Sequence, residues 1–150
     1  MWSFYSHGLL PLVRAALVAA AGLWLACSSQ SPEEKLLDAV KPVPSWIATL
    51  RMTGERWDAN SVPTSFVHTT VKAARKEFEK EAEEATRSKA RPELRIPLHQ
   101  VMTEAAAAAD GLGRAAEAND RPGVAREVGR LAALQGELAA LRKRNGGGSQ

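Results

Sequence analysis

Residues 120–144 read DRPGVAREVGRLAALQGELAALRKR. Apolar side chains recur at Val124, Val128, Leu131, Leu134 or Gln135, Leu138 and Leu141. Steps of three and four place them on one stripe of a helix, the pattern of an element that buries one face. Asp120 is a good N-cap, and Pro122 falls in the first turn, where a missing N–H costs nothing. Arg142, Lys143 and Arg144 put positive charge at the negative end of the helix dipole. Asn145 and Gly146–Gly148 stop the helix, leaving 145–150 as a flexible, Gly-rich tail.

Working back along the chain, the same period appears three more times. Leu98, Val101, Met102, Ala105, Ala108, Ala109 and Leu112 line a helix that ends near Asn119. Its Ala tract makes a thin element that neighbours can approach closely. A connection over 88–97, marked by Pro92 and Pro97, precedes it. Val67, Val71, Ala74, Phe78, Ala82 and Ala85 form the stripe of a helix from about Pro63 to Arg87. Its other side is charged, and Arg75–Glu79 and Lys80–Glu84 are spaced for i,i+4 pairing. Trp46, Leu50, Thr53 and Trp57 form the stripe of the shortest helix, capped by Ser45 and ending near Asn60. Ser31-Pro32-Glu33-Glu34 has the form of a helix start, with Leu36, Leu37 and Val40 behind it, before Pro42 and Pro44.

Alanine is abundant, and strand-forming runs of β-branched and aromatic residues are missing. The expected fold is all-α: a small up-down-up-down four-helix bundle over residues 46–144. A longer helical hairpin that dimerises is the alternative.

The N-terminus has a different character. Arg14 is followed by an apolar run from Ala15 to Ala26, and Cys27 is the single cysteine of the chain. A basic residue, a short apolar core and small residues at a cut site make a secretory signal. Twelve helical residues extend about 18 Å, well short of the ~30 Å hydrocarbon core. The sequence Leu25-Ala26-Cys27 resembles the lipobox of bacterial lipoproteins, with Trp24 where that family prefers an aliphatic residue. The resemblance covers the leader and nothing beyond it. It implies removal of residues 1–26 as a signal peptide and lipid attachment at Cys27. It also implies a tether over 27–45. Ser28, where many Gram-negative members retained in the inner membrane have Asp, implies the outer membrane, facing the periplasm. The residues themselves leave open an uncleaved membrane helix, or a cleaved leader with a free thiol or a buried structural cysteine.

Charge argues against a nucleic-acid partner. The chain has 20 Lys and Arg against 17 Asp and Glu, and loss of Arg14 with the leader leaves 19 against 17. The signs alternate along the helices and do not gather on one basic face.

Motifs for chemistry are sparse. Catalysis inside a bundle needs inward polar groups, and the stripes contain no Asp, Glu or His. The di-iron motif Glu-x-x-His is absent, since Ser65 precedes His68 by three and Ile96 precedes His99 by three. No zinc-ligand spacing, nucleophile elbow or phosphate-loop lysine occurs. Gly111-Leu112-Gly113 is a lone G-x-G with no strand before it. The expectation is a non-enzymatic, membrane-anchored module without a cofactor, whose partner is an envelope protein or a second copy. The alternative is a haem- or small-ligand-binding bundle drawing on Met52, His68, His99 and Met102, of which His99 and Met102 share a face.

Overall fold

The computed structural model describes residues 30–146. Residues 1–29, with the expected signal peptide and Cys27, and residues 147–150 lie outside them. The described residues fold as an all-α four-helix bundle with one additional short helix: α1 (Pro32–Ala39), α2 (Val43–Asp58), α3 (Thr64–Arg87), α4 (Pro92–Glu117) and α5 (Arg121–Gly146). Each long helix packs against its neighbour in sequence, and α5 returns against α2 to close the bundle. The connections at 59–63, 88–91 and 118–120 are short, as alternating up-down helices require.

The stripes of α3, α4 and α5 bury as their spacing predicts. Phe78, Leu98, Met102, Leu112 and Leu131 are fully enclosed, and Ala105, Ala108 and Ala109 let the other helices close in on α4. In α2 the buried face is rotated from expectation. It runs Val43, Ile47, Leu50, Thr53 and Trp57, whereas Trp46 is only partly buried at the rim. The helix begins at Val43 rather than after Ser45, so Val43 starts the stripe. Pro44 then lies in the first turn, where its missing N–H leaves no bond unmade.

Helix α4 also starts early, at Pro92, so the expected connection over 88–97 is mostly helix. Pro97 lies inside it, and its ring nitrogen cannot donate to the carbonyl one turn back. Leu94 and Leu98, both buried, hold this stretch onto the core.

The α2 and α4 helices end alike. Asn60 and Asn119 adopt positive φ (56° and 53°), where Asn is one of the few side chains tolerated. The N–H groups of Ser61 and Asp120 then reach back to the carbonyls of Arg56 and Ala115, each at 2.8 Å, and satisfy the last turn. Asp120 also caps α5, its carboxylate accepting from the Gly123 N–H at 3.0 Å.

The largest departure from the sequence reading concerns the tether. Residues 31–43 are part of the folded body. Ser31 Oγ accepts from the Glu34 N–H (3.1 Å) and Glu34 accepts from the Ser31 N–H (3.0 Å), a reciprocal cap that starts α1. Leu36, Val40 and Val43 are almost wholly buried, with Leu37 packed at their edge. Short as it is, α1 covers one end of the bundle, touching α3 and α5. At the far end of the chain, α5 extends through Asn145 and Gly146, past the stop expected at Asn145.

Candidate functional site

Two ends and one groove carry the polar structure of the bundle. Cys27, the expected lipid attachment residue, lies outside the described residues. It stands four positions ahead of Ser31, where α1 is capped.

The end covered by α1 is built from three segments. Glu33 accepts from the Arg91 backbone N–H at 3.3 Å, and its carboxylate pairs with the Arg91 guanidinium at 3.3 Å. This links α1 to the α3–α4 connection. On the other side of α1, Lys41 pairs with Asp38 at 2.8 Å, and Gln30 donates to Asp38 at 3.0 Å. A shallow cleft of about 220 Å³, lined by Glu34, Leu37, Asp38, Lys41 and Arg142, separates α1 from the last turns of α5. Bonds from the Lys41 ammonium, then from Gln30, hold the Asp38 carboxyl below the usual carboxylate range. Backbone N–H groups of Glu33 and Arg91 do the same for Glu33. The C-termini of α3 and α5 both end here, so their basic residues gather: Arg87 and Lys89 from one, Arg142, Lys143 and Arg144 from the other.

Glu81 sits nearby on α3 and is 3% exposed, although the sequence places it on a solvated charged face. Ala39 and Pro42, between α1 and α2, line a cavity of about 430 Å³ together with Glu81. Lys80 follows it inward, bonding Glu81 and Glu77 at 2.9 Å each rather than Glu84. Both carboxylates, Glu81 first, push the Lys80 pKa up. The Arg75–Glu79 pair forms as its spacing predicts, at 2.7 Å.

A groove of about 480 Å³ runs between α3 and α4, lined by His68, Val71, Lys72, Arg75, Lys76 and Asp110 among others. Arg75 reaches across it to Asp110 at 3.4 Å. Of the residues considered for haem, His68 and His99 are exposed, Met52 is 47% exposed, and Met102 alone is in the core. The fold does not bring these four together across the bundle. Gly111 lies under the side chain of Glu127, whose Cδ would be 2.8 Å from an added Cβ, so this glycine serves packing.

No family model, no curated protein and no solved structure matches this chain. The candidate site therefore rests on its own geometry. No helix of the described residues is long and apolar enough to cross a membrane.

The opposite end is closed by Arg121, the first residue of α5. Its guanidinium lies 5.6 Å from the Trp57 ring centroid, bonds Asp58 Oδ1 at 2.9 Å and Asn60 Oδ1 at 2.8 Å, and donates to the Asp58 carbonyl. The Trp57 indole N–H donates to Thr64 Oγ1 at 3.0 Å. Neither the Arg121 clasp nor the Glu33–Arg91 link has a local signal in the sequence. Their partners are 63 and 58 residues apart.

Proposed function

We propose that this chain is an exported lipoprotein of the bacterial envelope. Its helical bundle is held at the periplasmic face of the outer membrane by acyl chains on Cys27. There it acts as a non-enzymatic interaction or structural module. One observation carries the reading: the Leu25-Ala26-Cys27 motif ends four residues ahead of the Ser31 cap, so an apolar leader and a folded body meet at a cysteine suited to acylation. Several acyl chains give stable anchoring where one is marginal. Confinement to a surface raises the effective concentration of the bundle toward partners in the same membrane.

The test is metabolic labelling. The full chain is expressed in a Gram-negative host with a radioactive fatty acid, beside Cys27→Ser. The expected result is label and membrane fractionation for the wild type, both lost in the variant. A wild type that takes no label and fractionates as soluble overturns the proposal.

A further inference from the structure

We propose that the α1 end of the bundle is a contact surface for anionic lipid headgroups, so that the domain stands on the bilayer with its Arg121 end pointing away. The inference rests on anchoring at Cys27 and adds an orientation and a lipid chemistry to it.

The first argument is reach. Four residues from Cys27 to Ser31 span at most about 14 Å when fully extended. A free segment from 27 to 45 would span roughly 60 Å at the same rise and leave the bundle free to tumble. Because residues 31–43 are folded into the core, that range shrinks to about 14 Å, which keeps this end near the membrane without fixing its orientation. The end that carries Ser31 is therefore the end nearest the acyl chains. Charges there lie within about one or two Debye lengths of the headgroups, where an anionic surface attracts Lys and Arg.

The second argument is charge, independent of the first. Lys35, Lys89, Lys143 and Arg144 are exposed at this end, and Arg142 partly so, without an ion pair among the described residues. The local acids are largely engaged. Glu33 is held by Arg91, Asp38 by Lys41, Glu83 by Arg87, and Glu34 by the Ser31 N–H. Glu34, whose partner is a neutral N–H, Glu84 and Glu93 are the acids without a cationic partner here among the described residues, against the five free cations. At the opposite end there is no such excess: Asp58, Glu55, Glu117 and Asp120 stand beside Arg56, Arg114, Arg121 and Arg126, and Arg121 pairs with Asp58. Helix dipoles favour basic residues at the C-termini of α3 and α5, but nothing in the anchor requires those ends to coincide with the Cys27 end.

The test uses site-directed spin labels on the full chain, extracted from membranes and reconstituted. With Cys27 acylated, Thr86→Cys and Ala118→Cys each provide a unique thiol at an exposed, uncharged position, one at each end. Vesicles are pure phosphatidylcholine or phosphatidylcholine with phosphatidylglycerol. In phosphatidylglycerol vesicles, collision of the label at 86 with a water-soluble relaxant should fall severalfold below that at 118. The difference should vanish in about 1 M salt, where the Debye length is ~3 Å. It should also vanish when Arg142, Lys143 and Arg144 are changed to Gln, with circular dichroism confirming that the variant is folded. Equal accessibility at the two ends overturns the proposal. So does protection at 86 that is the same in neutral vesicles. Failure of the anchoring reading shows separately, as a second labelled thiol at Cys27 and no flotation with neutral vesicles. In that case flotation with phosphatidylglycerol vesicles, lost in the triple variant, supports the surface, and its absence overturns it.

Discussion

Gly54 and Val128 meet where α2 packs on α5, so closely that a Cβ on Gly54 would lie 2.6 Å from Val128 Cγ2. Leu112 Cδ1 would be 3.1 Å from the same atom, closing the space from α4. Leu112 ends in a flexible branch, but Val128 is β-branched and stiff at χ1, so it cannot swing aside cheaply. Overpacking costs about 1–3 kcal/mol, and Ala gains back roughly 1 kcal/mol over Gly in a helix interior. With stiff Val128 as the neighbour, Gly54→Ala should give a net loss of up to about 2 kcal/mol. Urea unfolding followed by circular dichroism reads the result as a lower midpoint at constant slope; a rise would show that the helices separate easily.

The same substitution should have the opposite sign on the exposed face of α5. Gly129 and Gly136 are helical and exposed, and an added Cβ meets nothing within 4 Å at either. Each change to Ala should raise stability by about 0.4–1 kcal/mol by restricting the unfolded chain. Seven residues of helix separate them by roughly 10 Å, so the two effects should add. Thermal unfolding of the single and double variants tests both sign and additivity.

Leu36 decides whether α1 is core or tether. It is 2% exposed, and its side chain packs within the main cluster. Leu36→Ala should cost about 2–5 kcal/mol of global stability, as for other buried leucines. A tether residue would give no change. Hydrogen exchange should also show loss of protection along 32–40 before the rest of the bundle opens.

Acid should loosen α1 before it unfolds the helices it covers. Asp38 and Glu33 titrate below their ordinary values of 3.8 and 4.5 in the folded protein. A carboxyl depressed by folding stabilises the native state fully above its unfolded pKa and loses that contribution as pH falls through its folded pKa. Exchange protection of α1 should therefore hold at neutral pH and decline below about pH 4. Asp38→Asn should weaken the acid dependence, while the exposure of both groups keeps the effect small.

Arg121 should matter for its shape as well as its charge. Removing it to Ala should cost on the order of 1 kcal/mol, since the stacking on Trp57 and the bonds to Asp58 and Asn60 are partly exposed. Lys should recover only part of that loss, because an ammonium cannot stack flat and bond both oxygens at once. Denaturant midpoints for Arg121→Ala, Arg121→Lys and the Arg121/Asp58 double-mutant cycle separate the two contributions.

The stripes of α3, α4 and α5 were readable because they are local. Val67 to Ala85, Leu98 to Leu112 and Val124 to Leu141 repeat at helical spacing, and a stripe that wide has to be covered. Asn60 and Asn119 lie where the chain turns, and Asp120 announces the start of α5. In α2 the short window held two nearly equivalent faces. Trp46 and Ile47 differ by one position, and only the approach of α5 and α4 around Gly54 selected Ile47 for the core.

Of the proposed site, the apolar run Ala15–Ala26 and Cys27 are legible as composition and motif, and they lie outside the described residues. The basic residues of the α1 end were visible singly. Their gathering was not, since Lys35, Lys89 and Arg142 come together only after three helix reversals. The sequence by itself determined the helices, their order and the faces most of them bury, because periodicity acts within a few turns. The tertiary structure alone decided that α1 belongs to the core, that Glu81 is covered, and that Arg91 and Arg121 clasp partners some sixty residues away. A short amphipathic helix carries the same pattern free or docked; which state it takes depends on the apolar area that distant elements present to it.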